Sequence, residues 1–279
     1  MSQKSYDNTA SLYLIPTPIG NLEDITLRAV KTLENVDVIF AEDTRVTGQL
    51  LKHLNINKKI ISNYDFNELE NLNKLLDYLK KGYNVGLVSD RGTPVISDPG
   101  FGLVQMAINN NYHVIALPGP TALIPALIVS GIEPSPFLFY GFLNSKEGVR
   151  KKELEKLKFL EFTIIFYESP HRIVKTLNNM LEVLGNRKIS ISREISKKFE
   201  EVYRGNIKDI INEVNNIKGE LVIVVEKNKE ENSYSNLSIV EHVNLYIKEG
   251  LDSKEAIKKV AQDRKVAKKE IYNDYHNIK

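Results

Sequence analysis

Asp90, Thr93 and Asp98 share one short stretch, SDRGTPVISDPG (89–100), that also carries two prolines and two glycines and follows an apolar run, NVGLV (84–88). A plain connection needs fewer turn formers, and this density of small and rigid residues suits a loop wrapped around a ligand. Two further stretches share the character: PTPIGN (16–21), with Thr17, and PGPT (118–121), with Thr121. Their chemistry is backbone amides, hydroxyls and carboxylates, with few cations. That set fits adenosine, a sulfonium and an amino-acid moiety better than a triphosphate. The cradles that hold phosphates, G-x-G-x-x-G and G-x-x-x-x-G-K-[ST], are missing from the sequence. Asp90 and Asp98 also read as holders of a divalent cation, although Arg91 and the prolines make such an oxygen cage awkward. For Asp98 a third reading is a cap on the helix starting near Phe101.

Composition narrows the field. The 279 residues contain no cysteine, which removes disulfides, thiolate nucleophiles and most zinc sites. The five histidines do not fall at ligand-like spacing, so no metal is expected. Apolar runs are far shorter than the ~20 residues that span a bilayer, and no charged-then-apolar leader opens the chain, so the expectation is a cytoplasmic protein without membrane contact. Net charge is only +2, yet Leu251–Lys279 holds eight Lys/Arg against five Asp/Glu, and KEGVRKK (146–152) is a second basic cluster. Each reads either as a solvated helix face or as a surface for a polyanion.

The elements that must position the loops follow from the apolar pattern. SLYLIPT (11–17), VDVIFAE (36–42), KIISNYD (59–65), NVGLVSD (84–90) and HVIALPG (113–119) read as strands buried on both faces. Helical patterns such as 26–35 and 71–82 lie between them, giving an α/β class with a doubly wound parallel sheet. In such sheets ligands sit beyond the carboxyl ends of the strands, where the three loops fall. A helix over 120–131 and a proline-rich link at 133–137 lead to a second set of strands: 137–142, 162–168, 188–194, 200–205 and 220–226. The alternation in KISISRE predicts a mixed sheet there. A polar linker (227–236) precedes three short helices near 238–248, 252–264 and 266–276, with Asp252 and Glu255 spaced as a capping box. The expected domains are therefore 10–131, 132–227 and a basic helical tail, 237–279. In that tail Ala256, Ile257, Val260 and Ala261 form one apolar stripe, and Ile271 with Tyr275 suggests another. Lys254, Lys258, Lys259, Lys265, Lys268 and Lys269 lie largely off them. The tail reads as an RNA-docking module or as a charged face against a dimer partner.

LYLIPTPIGNLEDITLRAVKTLENVDVIFAEDTRVTGQLL (12–51), LVSDRGTPVISDPG (87–100), LPGPTALIPAL (117–127), FLFYGFL (137–143), IIFYESPHRI (164–173), SREISKKFEEVYRG (192–205) and KGELVIVVE (218–226) occur in this order. The set resembles the bacterial small-subunit ribosomal RNA methyltransferases, a branch of the tetrapyrrole methylases, or class III S-adenosylmethionine-dependent enzymes. The resemblance implies a two-domain fold with S-adenosylmethionine (SAM) in the cleft between the domains, a homodimer, and methylation of a cytidine ribose 2′-oxygen at the decoding centre of 16S rRNA. Matching cofactor positions are Ile19 and Gly20; Gly92, Thr93, Pro94 and Ile96; Gly119, Thr121 and Ala122; and Glu168. A ribose hydroxyl needs a proton acceptor or nearby cations. Asp24 and Asp43, with Arg45, are the strand-end candidates, although Asp24 and Asp43 also read as helix caps. Arg45, Arg172 and Arg193 are candidates for RNA phosphates, and His171 for catalysis or a helix start.

Some positions depart from the resemblance. Arg91 and Val95 stand where alanine and glycine are usual, so Arg91 is expected to reach RNA and Val95 to narrow the pocket. Val46 and SNYDFNE (62–68) replace histidine-containing patterns, and Asn144 replaces a proline. The rival readings are a class III methyltransferase for a small molecule such as a tetrapyrrole, a non-catalytic RNA-binding or ribosome assembly factor, and a metal-dependent phosphohydrolase.

Overall fold

The computed structural model describes residues 3–5, 9–64, 68–229, 237–264 and 266–276, and the side chains of Glu68 and Leu69 are left aside. Asp65, Lys265 and residues 230–236 of the polar linker lie outside the described residues.

The first sheet is built from β1 (Ser11–Leu14), β2 (Val38–Ala41), β3 (Lys59–Ser62), β4 (Val85–Val88) and β5 (His113–Ala116). It is parallel throughout in the order β3-β2-β4-β1-β5, with Leu12 opposite Val85 and Val38 opposite the same residue from the other side. The unbroken apolar runs have a direct cause: successive residues of β2 point into two different cores. Val38 and Phe40 join Leu75, Leu79, Leu103 and Ala107, from α3 (Glu68–Lys80) and α4 (Phe101–Asn109). Ile39 and Ala41 join Ala29, Leu33 and Leu51, from α1 (Leu27–Asn35) and α2 (Thr44–His53). Both faces are covered, so alternation has no place.

The second sheet takes β6 (Phe137–Phe142), β7 (Thr163–Glu168), β8 (Lys188–Arg193), β9 (Glu201–Asn206) and β10 (Leu221–Val225), in the order β6-β7-β10-β8-β9. Only β6 and β7 run parallel, so the sheet is mixed, as the alternation in KISISRE suggested. That alternation does not mark an exposed face, because Ser190 and Ser192 are as buried as Ile191. The helices of this half are α6 (Glu147–Leu157), α7 (Ile173–Leu184) and α8 (Ile207–Glu213).

Helix α5 (Leu123–Val129) leaves the first sheet but packs on the second: Ala126 and Leu127 share a core with Ile165, Val222 and Val224. Both sheets belong to one compact unit, residues 1–155 and 162–226. Residues 156–161 and 227–279 form the other, holding α9 (Ile239–Lys248), α10 (Ser253–Arg264) and α11 (Lys268–Tyr275). Val243, Ala256, Ile257, Val260, Ala261 and Ile271 make its own core, while Lys254, Lys258, Lys259, Lys268 and Lys269 are exposed. Its reciprocal capping box falls at Ser238 and Glu241. At the predicted position, Asp252 accepts the Glu255 amide (2.8 Å).

Candidate functional site: a cleft between the two sheets

The loops after β1, β4 and β5 are tied to one another before any ligand is considered. Thr17 and Gly92 exchange both backbone hydrogen bonds (2.9 and 3.0 Å), and the Thr17 hydroxyl donates to the Ser89 carbonyl (3.1 Å). The Thr93 hydroxyl donates to the Pro120 carbonyl (3.0 Å), joining the β4 loop to the β5 loop. Gly92 sits at φ 81°, where a Cβ would also come 3.2 Å from Ile19, so both the turn and the close approach require glycine.

Beside these loops lies a cavity of about 300 Å³, at the small end of the range for cofactor sites. Of the positions expected to hold the cofactor, Ile19, Gly92, Thr93, Ile96, Thr121, Ala122 and Glu168 line it. Gly20, Pro94 and Gly119 are not among its lining residues. A Cβ on Gly20 would come 2.3 Å from Lys197 Cγ and one on Gly119 would come 2.6 Å from Pro16 Cβ, so both glycines are needed for loop packing, and Pro94 is buried.

The opposite wall comes from the second sheet and its loops, through Phe142, Tyr167, Ser169, Ile195, Leu221 and Val222. Tyr167 packs edge-on against Phe139 and Phe142 (ring centroids 4.9 and 5.6 Å). Burial raises its pKa, and its hydroxyl is hydrogen-bonded with the Thr121 side chain. Glu168 borders the cavity, but its carboxylate is taken: it accepts from the Ser169 amide (2.8 Å) and the Thr176 hydroxyl (2.5 Å) and lies 3.3 Å from the Arg172 guanidinium. That bonding ties the end of β7 to the first turn of α7.

Asp98 is also on the wall, and its surroundings increase its proton affinity; burial is the main cause, opposed by a hydrogen bond from Ser89. It does not cap α4, whose N-cap is Gly100 without a side-chain bond. Asp90 is raised in the same direction, chiefly by burial, and accepts the Asp43 amide (2.9 Å). Among the described residues no group of three or more His, Cys, Asp or Glu gathers to hold a metal ion.

Neither Asp24 nor Asp43 is a lining residue of the cavity. Asp43 caps α2 by accepting the Arg45 amide (2.8 Å), and its side-chain bond with the Arg45 guanidinium, above all, holds its pKa at about 2. A carboxylate of such low proton affinity is a poor general base. Asp24 accepts from the Ser196 hydroxyl, and the cap of α1 is Thr26. Arg45 is paired with Asp43 yet 85% exposed. Arg172 donates to the Leu143 carbonyl (2.7 Å) and Arg193 to the Lys218 carbonyl (2.6 Å); each is a brace within the protein, not a free outward cation. His171 lies beside the α7 start, 3.4 Å from the Ser169 hydroxyl. The 146–152 cluster is partly spent inside: Arg150 is buried and donates to Asn179 (2.7 Å), and Lys151 pairs with Glu147 and Glu182.

The departures now have physical readings. Arg91 lines the cavity and pairs with Glu220 across it, instead of pointing to solvent alone. Val95 does not narrow the pocket; it packs against the core around Leu87 and Leu103 at φ 77°, a conformation that explains why glycine is usual there. The Asn144 amide donates to Glu153 (2.9 Å), a bond no proline can make. Val46 is partly exposed on α2. The sequence reading missed Phe142, Tyr167, Ile195 and Glu220. For the first three the signal was a set of apolar strand ends, which look the same wherever a core is built, and Glu220 read as one more surface charge.

An adenosine with a sulfonium fits this lining. Ile19, Ile96, Ile195 and Val222 offer apolar walls, Asp98 offers a negative charge, and Arg91, the cation on the wall, is balanced by Glu220. The sequence pattern of the Tetrapyrrole (Corrin/Porphyrin) Methylases matches residues 11–211. Among solved structures, the methyltransferase CobJ superposes with a TM-score of 0.61 at 17% identity, covering 78% of this chain and 95% of its own. Uroporphyrin-III C-methyltransferase from Thermus thermophilus, complexed with S-adenyl homocysteine, gives 0.54 at 18%, covering 78% and 97%. These likenesses define the fold class. The ribosomal RNA small subunit methyltransferase I of Bacillus subtilis is 48% identical over 99% of this chain and 97% of its own length. The chain belongs to the ribosomal RNA small subunit methyltransferase I family, and it is a methyltransferase.

Proposed function

We propose that this methyltransferase, whose methyl donor is S-adenosylmethionine and whose substrate is small-subunit ribosomal RNA, places the methyl group on the ribose 2′-oxygen of a decoding-centre cytidine. The observation that carries the chemistry is Asp98, a carboxylate of raised proton affinity on the wall of a largely apolar cleft. Bound SAM supplies a methyl group on a positively charged sulfur. The chain's own part is placement and proton transfer. Loops tied by Thr17–Gly92 and Thr93–Pro120 hold the walls in position before binding, so little ordering is left to the reactive complex. Asp98 balances the sulfonium charge and takes the hydroxyl proton, a task that its environment suits better than that of Asp43. Thr121, hydrogen-bonded to Tyr167, links the β5 loop to the second sheet at the cleft wall. The resemblance also carries a homodimer acting in the cytoplasm, which sedimentation and cell fractionation test. Among the described residues no helix is long and apolar enough to cross a membrane.

The test is mass spectrometry of 16S rRNA and of small subunits incubated with the pure protein and labelled SAM. A label on a single cytidine 2′-oxygen is expected; label elsewhere, or on a tetrapyrrole instead, overturns the reading. Because Asp98 must be ionised to accept a proton and its pKa is raised, activity should climb with pH through a limb above the ordinary carboxylate value of 3.8. Asp98→Asn should remove that limb and cost on the order of 10²–10⁴-fold in rate.

A further inference from the structure

The loop EISKKFE (194–200) does not behave as a plain connection between β8 and β9. Glu194 (φ 51°) and Ser196 (φ 70°) both occupy the left-handed region, and Ile195 between them lines the cavity. The loop is fastened on both sides of the cleft. The Ser196 hydroxyl donates to Asp24 in the β1 loop, and the Lys197 stem lies over Gly20. The Lys197 ammonium bonds Glu194 and Glu220 (2.8 Å each), and Glu220 in turn pairs with Arg91 of the β4 loop. Glu200 closes the turn by accepting the Ser196 amide (2.6 Å).

Two side chains of this tied loop are left facing outward. Phe199 is 66% exposed, and Lys198 holds its ammonium 5.7 Å above the Phe199 ring. A scattered exposed apolar residue needs no explanation. This one differs in being an aromatic face with a cation over it, on a strained and anchored loop whose Ile195 lines the cleft. Strain of that kind is kept where the surroundings impose a geometry. An aromatic face beside an ammonium is the pair that an unpaired nucleotide requires, with its base on the ring and its phosphate on the cation.

We infer that Phe199 and Lys198 bind the RNA substrate, Phe199 stacking on an unpaired base that flanks the methylated nucleotide and Lys198 contacting its phosphate. The inference rests on the proposed rRNA substrate. It is tested with small subunits from a strain deleted for the gene, by measuring KM for the subunit and, separately, SAM affinity by calorimetry. Phe199→Ala should raise KM roughly tenfold, the scale of one lost base stack, with SAM affinity unchanged. Phe199→Trp should restore KM and Phe199→Leu should not, since only a ring stacks. Lys198→Gln should lower the slope of log KM against log salt by about one contact's worth.

An unaltered KM in Phe199→Ala, rescue by leucine as complete as by tryptophan, or a parallel loss of SAM affinity overturns the inference. If the wild type does not methylate small subunits at all, the proposed function fails instead. Transfer by the wild type with an indifferent Phe199 removes the stacking role alone.

Discussion

Thr17, Thr93 and Tyr167 spend their polar groups on neighbouring loops around the cleft. In the helical unit, Tyr246, His242, Asp263 and Arg264 spend theirs on one another. The Tyr246 hydroxyl donates to Asp263 (2.5 Å), and Arg264 donates to His242 Nδ1 (3.1 Å) and to the Leu237 carbonyl (2.5 Å). The first arrangement props walls apart, because each bond runs between loops that border a space. The second pulls short helices together over an apolar core, and leaves the lysines outside. Hydrogen bonds of equal quality thus produce a cavity in one unit and a closed knot in the other, according to whether their partners lie across a gap or within one core.

The comparison is most severely challenged at Thr93. Thr93→Asp replaces a hydroxyl that donates to the Pro120 carbonyl with an acceptor facing an acceptor, so SAM affinity should fall by about a hundredfold or more. The thermal transition should stay close to wild type; unchanged SAM affinity by calorimetry would remove this loop from the site. Removing residues 237–279 should act on the other function, weakening RNA binding roughly tenfold at physiological salt and leaving SAM affinity nearly as it was. Equal losses in both would make the tail a structural support.

A smaller effect is expected from pH. Burial, with Arg264 nearby, lowers the pKa of His242 below its ordinary 6.5, against the pull of Asp263. The unfolded tail therefore binds protons that the folded tail refuses, and stability present above pH 6.5 is lost as pH falls toward the folded value. Hydrogen exchange should show α9 and α10 losing protection in mild acid while β2 and β4 keep theirs. Smallest of all is Val95→Gly. It relieves a left-handed β-branched residue, worth about 1–2 kcal/mol, but gives up packing around Leu87 and Leu103. Little net change in stability is expected, and none in SAM affinity, because Val95 is not on the cleft wall.

Much of the fold was readable along the chain. Each predicted strand coincides with one observed, within two or three residues at its ends, since a strand buried on both faces needs consecutive apolar residues and these are visible locally. The β4 loop was readable for a similar reason: turn residues betray a backbone that must bend tightly. Roles were less legible. Gly20 and Gly119 carry the same letter as Gly92, yet what a Cβ would meet there is Lys197 and Pro16, not the cavity wall that Gly92 helps to line. Asp24 and Asp43 read as the strand-end candidates for the proton acceptor, and Asp98 only as a loop carboxylate, a cation holder or a cap; nothing local showed how differently the fold would surround the three.

The sequence by itself determined the strand and helix periods, the turn-rich edges and the family, all of which depend on residues close together in the chain. Only the tertiary structure decided that α5 belongs to the second sheet's core, that Glu220 faces Arg91, and that Asp98 alone of those three carboxylates stands on the cleft wall. These depend on burial and on charges brought together from distant segments. Neither proton affinity nor partner is a property of a residue until the folded chain has chosen its neighbours.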